Sequence, residues 1–224
     1  MELMRAVAAA GADVLEVGVP FSDPMADGPI IQRSSQIALE QGIGLYETLA
    51  LISEADLSIP VVLFSYLNPI LAGGSAALDT AVERGVHGIL ITDLPVGADP
   101  ERETWLGRSG LAFVRLVAPT TPADRMRAIA QHGSGFVYLI SRLGVTGVRE
   151  DIPADLAQTI ARLRSATTLP ICAGFGISTP AQAAGVGRLA DGIVVGSAIV
   201  RAAETSVGAA AQLTADLRGA LDTL

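Results

Sequence analysis

The chain has 224 residues, half of them hydrophobic, and a formal net charge of -8 at pH 7. This length suits one domain spanning residues 1–224, and the negative charge argues against nucleic-acid binding, which needs a basic surface. The start of the sequence lacks a basic segment followed by an apolar one, and no apolar run could span a membrane. We therefore expect a cytoplasmic protein.

Apolar patterning predicts strands and helices that alternate along the chain. Strands are predicted at residues 14–19, 61–66, 88–92, 112–118, 136–141, 170–174 and 192–195. Helices are predicted at residues 1–10, 30–41, 45–57, 75–84, 100–109, 122–131, 154–164, 180–186, 198–204 and 208–221. Three helix starts carry a capping residue followed by proline, at Asp99-Pro100, Thr121-Pro122 and Thr179-Pro180.

The spacing of the predicted strands defines the fold class. Strand starts recur about every 30 residues, the length of a β-α-β unit, which predicts an α/β fold with a covered parallel sheet. An open doubly wound sheet and a (β/α)8 TIM barrel both fit. No G-x-G-x-x-G follows the first strand, which disfavours a dinucleotide-binding sheet. Because the chain opens on a helix and shows seven strands, we predict a barrel without its first strand, containing strands two to eight.

The first predicted strand leads into a loop that carries carboxylates. Residues 14–29 read V-L-E-V-G-V-P-F-S-D-P-M-A-D-G-P. Glu16 lies on the strand face opposite its alternating apolar residues, where a carboxylate is costly to bury unless it is paired or protonated. With Asp27 in the following loop it forms a candidate acid/base pair. The alternatives are an ion-paired strand residue and a turn-capping aspartate.

Two glycine-containing turns follow the last two predicted strands. The first is G-F-G-I-S at residues 174–178, and the second is Gly196-Ser197; each opens a helix. Glycine lets backbone N–H groups approach a phosphate, and helix N-termini carry partial positive charge. Barrel enzymes often bind phosphate at these two loops, so we expect a phosphate site, with ordinary tight turns as the alternative.

The loop at residues 141–151 is long and polar and reads S-R-L-G-V-T-G-V-R-E-D. It fits a lid that closes over a substrate, or an ordinary connection. Phe64, Tyr66 and Tyr138 lie on predicted strands, where aromatic residues are usually core. Asn68 and Asp93 at strand ends either orient a catalytic group or cap turns.

Some chemistry is excluded by composition. All 15 basic residues are arginine, so a lysine Schiff base is impossible. His87 and His132 precede strands without a Cys/His cluster, so we expect surface or helix-end residues and no metal. Cys172 is the only cysteine and is expected to be a small core residue.

The string at residues 14–29 closely resembles the loop of the tryptophan synthase alpha subunit family, E-L-G-V-P-F-S-D-P-x-A-D-G-P. The string S-R-x-G-V-T-G resembles that family's mobile loop, and the resemblance runs from Gly11 to about Val200. It implies retro-aldol cleavage of indole-3-glycerol phosphate to indole and glyceraldehyde 3-phosphate. Glu16 would shuttle protons at carbon 3 of the indole and the glycerol hydroxyl, and Asp27 would hold the indole N–H and stabilise positive charge on the ring.

The resemblance also implies the remaining site residues. The phosphate would contact Gly147, Gly174, Gly176, Gly196 and Ser197. The indole pocket and lid would contain Phe64, Tyr66, Tyr138, Arg142, Thr146 and Phe175.

The resemblance implies a partner. The family passes indole to a beta subunit, in an alpha2-beta2 heterotetramer, and residues 20–23 match part of the docking surface. Pyridoxal phosphate is expected only in that partner, with no cofactor in this chain. The alternative is a non-catalytic or weakly active shortened form that only binds the beta subunit, because family members carry a helix, a strand and a substrate-contacting loop before the position of Met1.

Other phosphate-binding barrels of the same pathway are rival interpretations. A phosphoribosyl isomerase is one, and the indole-glycerol-phosphate synthase is another. The latter uses a catalytic lysine, which this sequence lacks.

Overall fold

A computed structural model describes residues 1–140, 154–174 and 176–224. The chain divides into two compact units, Met1–Phe113 and Val114–Leu224, which are described in turn. The expectation of one domain over the whole chain stays a prediction.

The first unit alternates strands with helices. Its strands are β1 (Leu15–Gly18), β2 (Val61–Ser65) and β3 (Gly88–Ile91), and its helices are α1 (Glu2–Ala9), α2 (Pro29–Glu40), α3 (Leu45–Ala55), α4 (Leu67–Ala72), α5 (Ala77–Glu83) and α6 (Pro100–Gly107). β1 pairs with β2 and β2 with β3, all parallel. In this register Glu16 is opposite Val62.

The core of the first unit forms between its strands and helices. Leu63 of β2, Ile89 of β3 and Leu49 of α3 are fully buried in one cluster. Each such side chain stabilises the fold by about 1.5–3 kcal/mol. Val17 of β1 and Trp105 of α6 pack against this cluster, as expected for the apolar face of β1 and for a packing tryptophan.

The second unit repeats the pattern. Strand β4 (Ala112–Val117) begins in the first unit and continues into the second. It is followed by α7 (Ala123–Gln131), β5 (Val137–Ile140), α8 (Ala154–Arg164), β6 (Ile171–Gly174), α9 (Pro180–Gly187), β7 (Gly192–Val194), α10 (Ser197–Thr205) and α11 (Val207–Leu221). The pairs β4–β5, β5–β6 and β6–β7 are parallel.

Strand order distinguishes the two fold classes that the sequence left open. Within each unit, neighbouring strands follow chain order and a helix separates them. A doubly wound sheet reverses its order at a switch point, whereas a barrel does not. The described part of the chain therefore has the β/α-barrel pattern, with all seven predicted strands.

Two of the three predicted helix caps are present. Asp99 Oδ1 accepts the Arg102 N–H at 3.0 Å, and Thr179 Oγ1 accepts that of Gln182 at 3.3 Å. The third prediction is wrong, because α7 begins at Ala123 without a side-chain cap.

Thr121, the cap predicted for α7, bonds elsewhere. Its Oγ1 accepts the Ala118 N–H at 3.1 Å, which closes a local turn instead. Helix α4, which has six residues, was not predicted from the sequence, and it contains Pro69. This proline falls in the first turn of the helix, where a missing N–H costs nothing.

The histidines lie where the sequence indicated. Both are exposed; the Val61 N–H donates to His87 Nδ1 at 3.3 Å, and His132 ends α7. Cys172 is half-buried on β6 rather than in the core. No helix in the described ranges is long and apolar enough to cross a membrane.

Candidate active site

Glu16 carries a carboxyl oxygen that is buried and unpaired within the described part of the chain. The residue as a whole is half-buried on β1, but its Oε1 is inaccessible to solvent and has no hydrogen-bond partner among the described residues. Burial raises the pKa of Glu16 from its ordinary 4.5 to about 7. A carboxyl group with this pKa can both donate and accept a proton near neutral pH, as general acid/base catalysis requires.

Asp27 lies in the loop that follows β1, and it has a hydrogen-bond donor. The Tyr66 hydroxyl donates to Asp27 Oδ2 at 3.0 Å. Burial raises the pKa of Asp27 above its usual range, while the Tyr66 bond acts in the opposite direction because it favours the ionised form. The two acids therefore have different surroundings, which is how an enzyme assigns different roles to two carboxylates.

Turns within the loop also fix Asp27. The Asp27 N–H donates to the Pro24 carbonyl at 3.0 Å, and the Met25 N–H donates to the Asp23 carbonyl at 2.8 Å. From helix α2, the Gln32 amide donates to the Asp27 carbonyl at 2.9 Å. The backbone that carries the carboxylate is thus held by hydrogen bonds on both sides of it.

Tyr66 follows β2 and makes more contacts than the sequence suggested. Its hydroxyl also accepts the Ala26 N–H at 2.8 Å, and its ring centroid lies 5.1 Å from that of Phe21. Burial, with further contributions from Asp27 and Asp93, raises the pKa of Tyr66 to about 12. The hydroxyl is therefore un-ionised at neutral pH and acts as a donor toward Asp27.

Three further candidates, Asp93, Asn68 and Phe64, lie on or just after β2 and β3. Asp93 Oδ1 accepts the Leu67 N–H at 2.7 Å, so Asp93 caps the start of α4. Asn68 is exposed in the first turn of the same helix, and Phe64 is half-buried on β2. Of the two alternatives for Asp93, the structure favours the turn cap.

In the second unit, Gly174 ends β6 where a side chain would not fit. A Cβ at Gly174 would lie 2.7 Å from the Val194 carbonyl oxygen and 2.8 Å from the Tyr138 hydroxyl. Tyr138 is half-buried on β5. Gly174 therefore allows close approach of β6 to its neighbours, whatever it contributes to a ligand site.

The two predicted phosphate turns differ in whether their backbone N–H groups are already hydrogen-bonded within the chain. Before α9, the backbone N–H groups of Ser178 and Thr179 both donate to Gln182 Oε1, at 2.9 and 3.2 Å. These amides are satisfied within the chain. Gly176 in the same turn has a φ of +84°, a conformation that favours glycine.

The turn before α10 is open. Gly196 precedes the helix without a side-chain cap in the described part of the chain, and Gly196 and Ser197 are both exposed. A Cβ at Gly196 would meet no heavy atom within 4 Å. First-turn amides at a helix N-terminus carry partial positive charge, so α10 is the better anion site of the two.

Four predicted site residues lie outside the described residues: Gly147, Arg142, Thr146 and Phe175. The predicted lid at 141–151 also lies outside them.

Two contributing residues were missed from the sequence. Phe21 contacts Tyr66 only through the fold, and no local pattern indicates this contact. Gln182 could have been found, because T-P-A-Q at residues 179–182 matches the capping-box pattern.

Fold and site together define a class: a β/α-barrel protein with a buried acid of near-neutral pKa on one strand and a glycine turn before a helix. A family model described as tryptophan synthase alpha chain matches residues 1–222. The chain belongs to the tryptophan synthase alpha chain family. It is therefore related to a lyase of tryptophan biosynthesis, as the sequence resemblance indicated.

Individual members of this family are similar to the chain over most of its length. The alpha chain of Carboxydothermus hydrogenoformans is 46% identical over 210 residues, covering 92% of this chain and 79% of that protein. The alpha chain of Caulobacter sp. strain K31 is 46% identical over 217 residues, covering 95% and 78%.

Solved structures confirm the barrel fold. Tryptophan synthase subunit alpha from Legionella pneumophila superposes with a TM-score of 0.89 at 35% identity, over 99% of this chain and 86% of that chain. An aminoacrylate-bound tryptophan synthase from M. tuberculosis gives a TM-score of 0.87 at 30% identity, over 98% and 85%.

Proposed function

We propose that the chain cleaves indole-3-glycerol phosphate to indole and glyceraldehyde 3-phosphate by a retro-aldol reaction. The observation that carries the proposal is the buried carboxyl of Glu16 on β1, within the string that matches the family. Membership of the tryptophan synthase alpha chain family supports it, as does the presence of both acids.

The proposed chemistry needs one proton-transfer group and one stabilising charge. Glu16 in its acid form gives a proton to carbon 3 of the indole ring, and the ring nitrogen becomes positively charged. Asp27 in its ionised form accepts the ring N–H and stabilises that charge. The Glu16 carboxylate then takes the glycerol hydroxyl proton while the carbon–carbon bond breaks, and the bonding pair restores the indole ring. Glu16 is therefore in its acid form again at the end of the reaction.

The surroundings of the two acids support these roles. A pKa of about 7 lets Glu16 alternate between acid and base within one turnover. The hydrogen bond from Tyr66 favours the ionised form of Asp27, the form that can hold a cation.

We place the substrate phosphate at the N-terminus of α10. Gly196 leaves space for a phosphate oxygen, and Ser197 begins the helix. The turn before α9 contributes less in this proposal, because Gln182 occupies two of its amides.

A beta-subunit partner forms part of the proposal. The family name and the M. tuberculosis tryptophan synthase structure support such a partner, and we propose an alpha2-beta2 assembly in the cytoplasm, with pyridoxal phosphate only in the beta subunit. Residues 20–23 would contact it. Phe21, Ser22 and Pro24 line an open groove of about 400 Å³ beside α2, a helix with no buried residue.

The test is indole release by the purified chain without any beta subunit. Glu16→Gln should reduce the rate more than about tenfold, because no described group replaces its proton transfer. The exposed Glu83→Gln is the matched control and should behave like the unmodified protein. More than a tenth of the activity in folded Glu16→Gln would refute the assignment. Beta-subunit binding without indole release would favour the non-catalytic alternative.

A further inference from the structure

We propose that Tyr66 is a positioning residue, whose hydroxyl fixes one oxygen of Asp27 and leaves the other for the substrate N–H. This inference rests on the proposed function, because it assigns the support for one of its two acids. The family resemblance implies that Tyr66 lines the indole pocket or approaches a catalytic acid, and it says nothing about which carboxylate oxygen is held.

The Tyr66 hydroxyl accepts one hydrogen bond and donates another. The Ala26 N–H donates to the Tyr66 oxygen at 2.8 Å, so that oxygen is an acceptor there. Its single proton must then be donated elsewhere, and Asp27 Oδ2 lies 3.0 Å away. Asp27 Oδ2 therefore carries no proton, and Oδ1 remains for a ligand.

Tyr66 is itself held in place by its surroundings. The side chain is only 3% exposed, and its ring packs against Phe21. Tyr66 lies between β2 and α4, and Asp93 caps the first amide of that helix. The hydroxyl thus holds two successive residues of the loop, Ala26 and Asp27, against a fixed part of the first unit.

Burial and the Tyr66 hydrogen bond act in opposite directions on the pKa of Asp27. The titratable neighbours of Tyr66 are Asp27 and Asp93, and Glu16 lies on the adjacent strand β1. Burial opposes ionisation of Asp27 by raising its pKa, and the Tyr66 hydrogen bond counters this effect. Removal of the hydroxyl should therefore raise the pKa of Asp27.

The experiment compares Tyr66→Phe with Tyr46→Phe. Tyr46 is a matched control, because its hydroxyl also makes a hydrogen bond, to the Gly73 carbonyl at 2.6 Å, but it is 45% exposed. Tyr66→Phe should lower kcat about tenfold with a smaller change in KM, since a hydrogen bond to a charged group is lost. The acidic limb of its kcat profile should move to higher pH. Tyr46→Phe should change neither.

A second measurement needs no activity. In protein labelled with carbon-13 at aspartate carboxyls, Asp27→Asn identifies the Asp27 signal. Its titration midpoint should move to higher pH in Tyr66→Phe and stay fixed in Tyr46→Phe. Should Tyr66→Phe not fold, 3-fluorotyrosine keeps the ring and strengthens the donor, and the midpoint should move to lower pH.

The outcomes separate the two proposals. An Asp27 midpoint that responds to neither substitution overturns the role of Tyr66. An unmodified protein that releases no indole overturns the proposed function, while the carboxyl titration still decides whether Tyr66 holds Asp27.

Discussion

Replacing Glu16 by glutamine should stabilise the folded protein at alkaline pH, although the same change removes the proposed catalytic group. The reason is that Glu16 must ionise in a buried position, where its Oε1 has no hydrogen-bond partner among the described residues. Glutamine keeps the shape of the side chain and never ionises. A neutral residue therefore avoids the cost of the buried charge.

The size of this stability change follows from the difference between the pKa of Glu16 in the folded protein and its ordinary value. The pKa of Glu16 is about 7 in the folded protein, against an ordinary value of 4.5. Between these values the folded state binds more protons than the unfolded state, so the free energy of unfolding falls as pH rises. Above about pH 8 the loss is complete and is on the order of 3 kcal/mol. For a chain of this size it corresponds to roughly 6–12 °C in melting temperature.

The assay is urea or thermal unfolding of both proteins from pH 4.5 to pH 8.5. The two stability curves should coincide at the acidic end and separate through the window from 4.5 to 7, with Glu16→Gln more stable above it. Exposed Glu83→Gln should follow the unmodified protein throughout. Parallel curves for Glu16→Gln and the unmodified protein would show that the carboxyl is solvated or paired, and would remove the basis for its acid/base role.

Three further predictions concern the same site. Asp27→Asn should lower indole release severely, because an amide cannot balance the ring's positive charge; normal kcat in a folded variant would contradict this. Gly196→Val should raise KM sharply and weaken inhibition by glycerol phosphate, whereas exposed Gly219→Val should leave KM unchanged; an unaltered KM places the phosphate elsewhere. Gly174→Ala should lower stability in urea by at least about 1–3 kcal/mol through overpacking, while Gly219→Ala in helix α11 should raise it slightly; equal midpoints would refute the steric argument.

Strands β2 and β3 could be predicted because their side chains are buried on both faces. The segments around Leu63 and Ile89 are apolar throughout and rich in β-branched residues. This pattern distinguishes a strand covered on both faces from an amphipathic surface helix. The parallel order could be predicted from the regular spacing. The helix at Leu67–Ala72 was not predicted; it is only six residues long and carries a proline in its first turn, where a missing N–H is tolerated.

The acids could be located from the sequence, but their support could not. A carboxylate at position 16 among apolar residues indicates burial by itself. The bond between Tyr66 and Asp27 joins residues 39 positions apart, and it depends on the loop folding back toward β2. Local patterns carry no information about such a contact. Thr121 is a different case, because its bond to the Ala118 N–H and a cap on α7 are both local and either fits its side chain.

Strand β1 is hydrogen-bonded on one side within the described first unit. The Leu15 N–H donates to the Pro60 carbonyl at 3.0 Å and the Val19 N–H to the Phe64 carbonyl at 2.9 Å. In a parallel ladder the amides of the alternate residues, Glu16 and Gly18, point away from β2. Hydrogen exchange should therefore alternate along this strand, slow at Leu15 and Val19 and fast at Glu16 and Gly18. Any segment that adds to the free side would slow exchange at those two amides first, so the strand that carries the proposed catalytic acid also reports on what binds beside it.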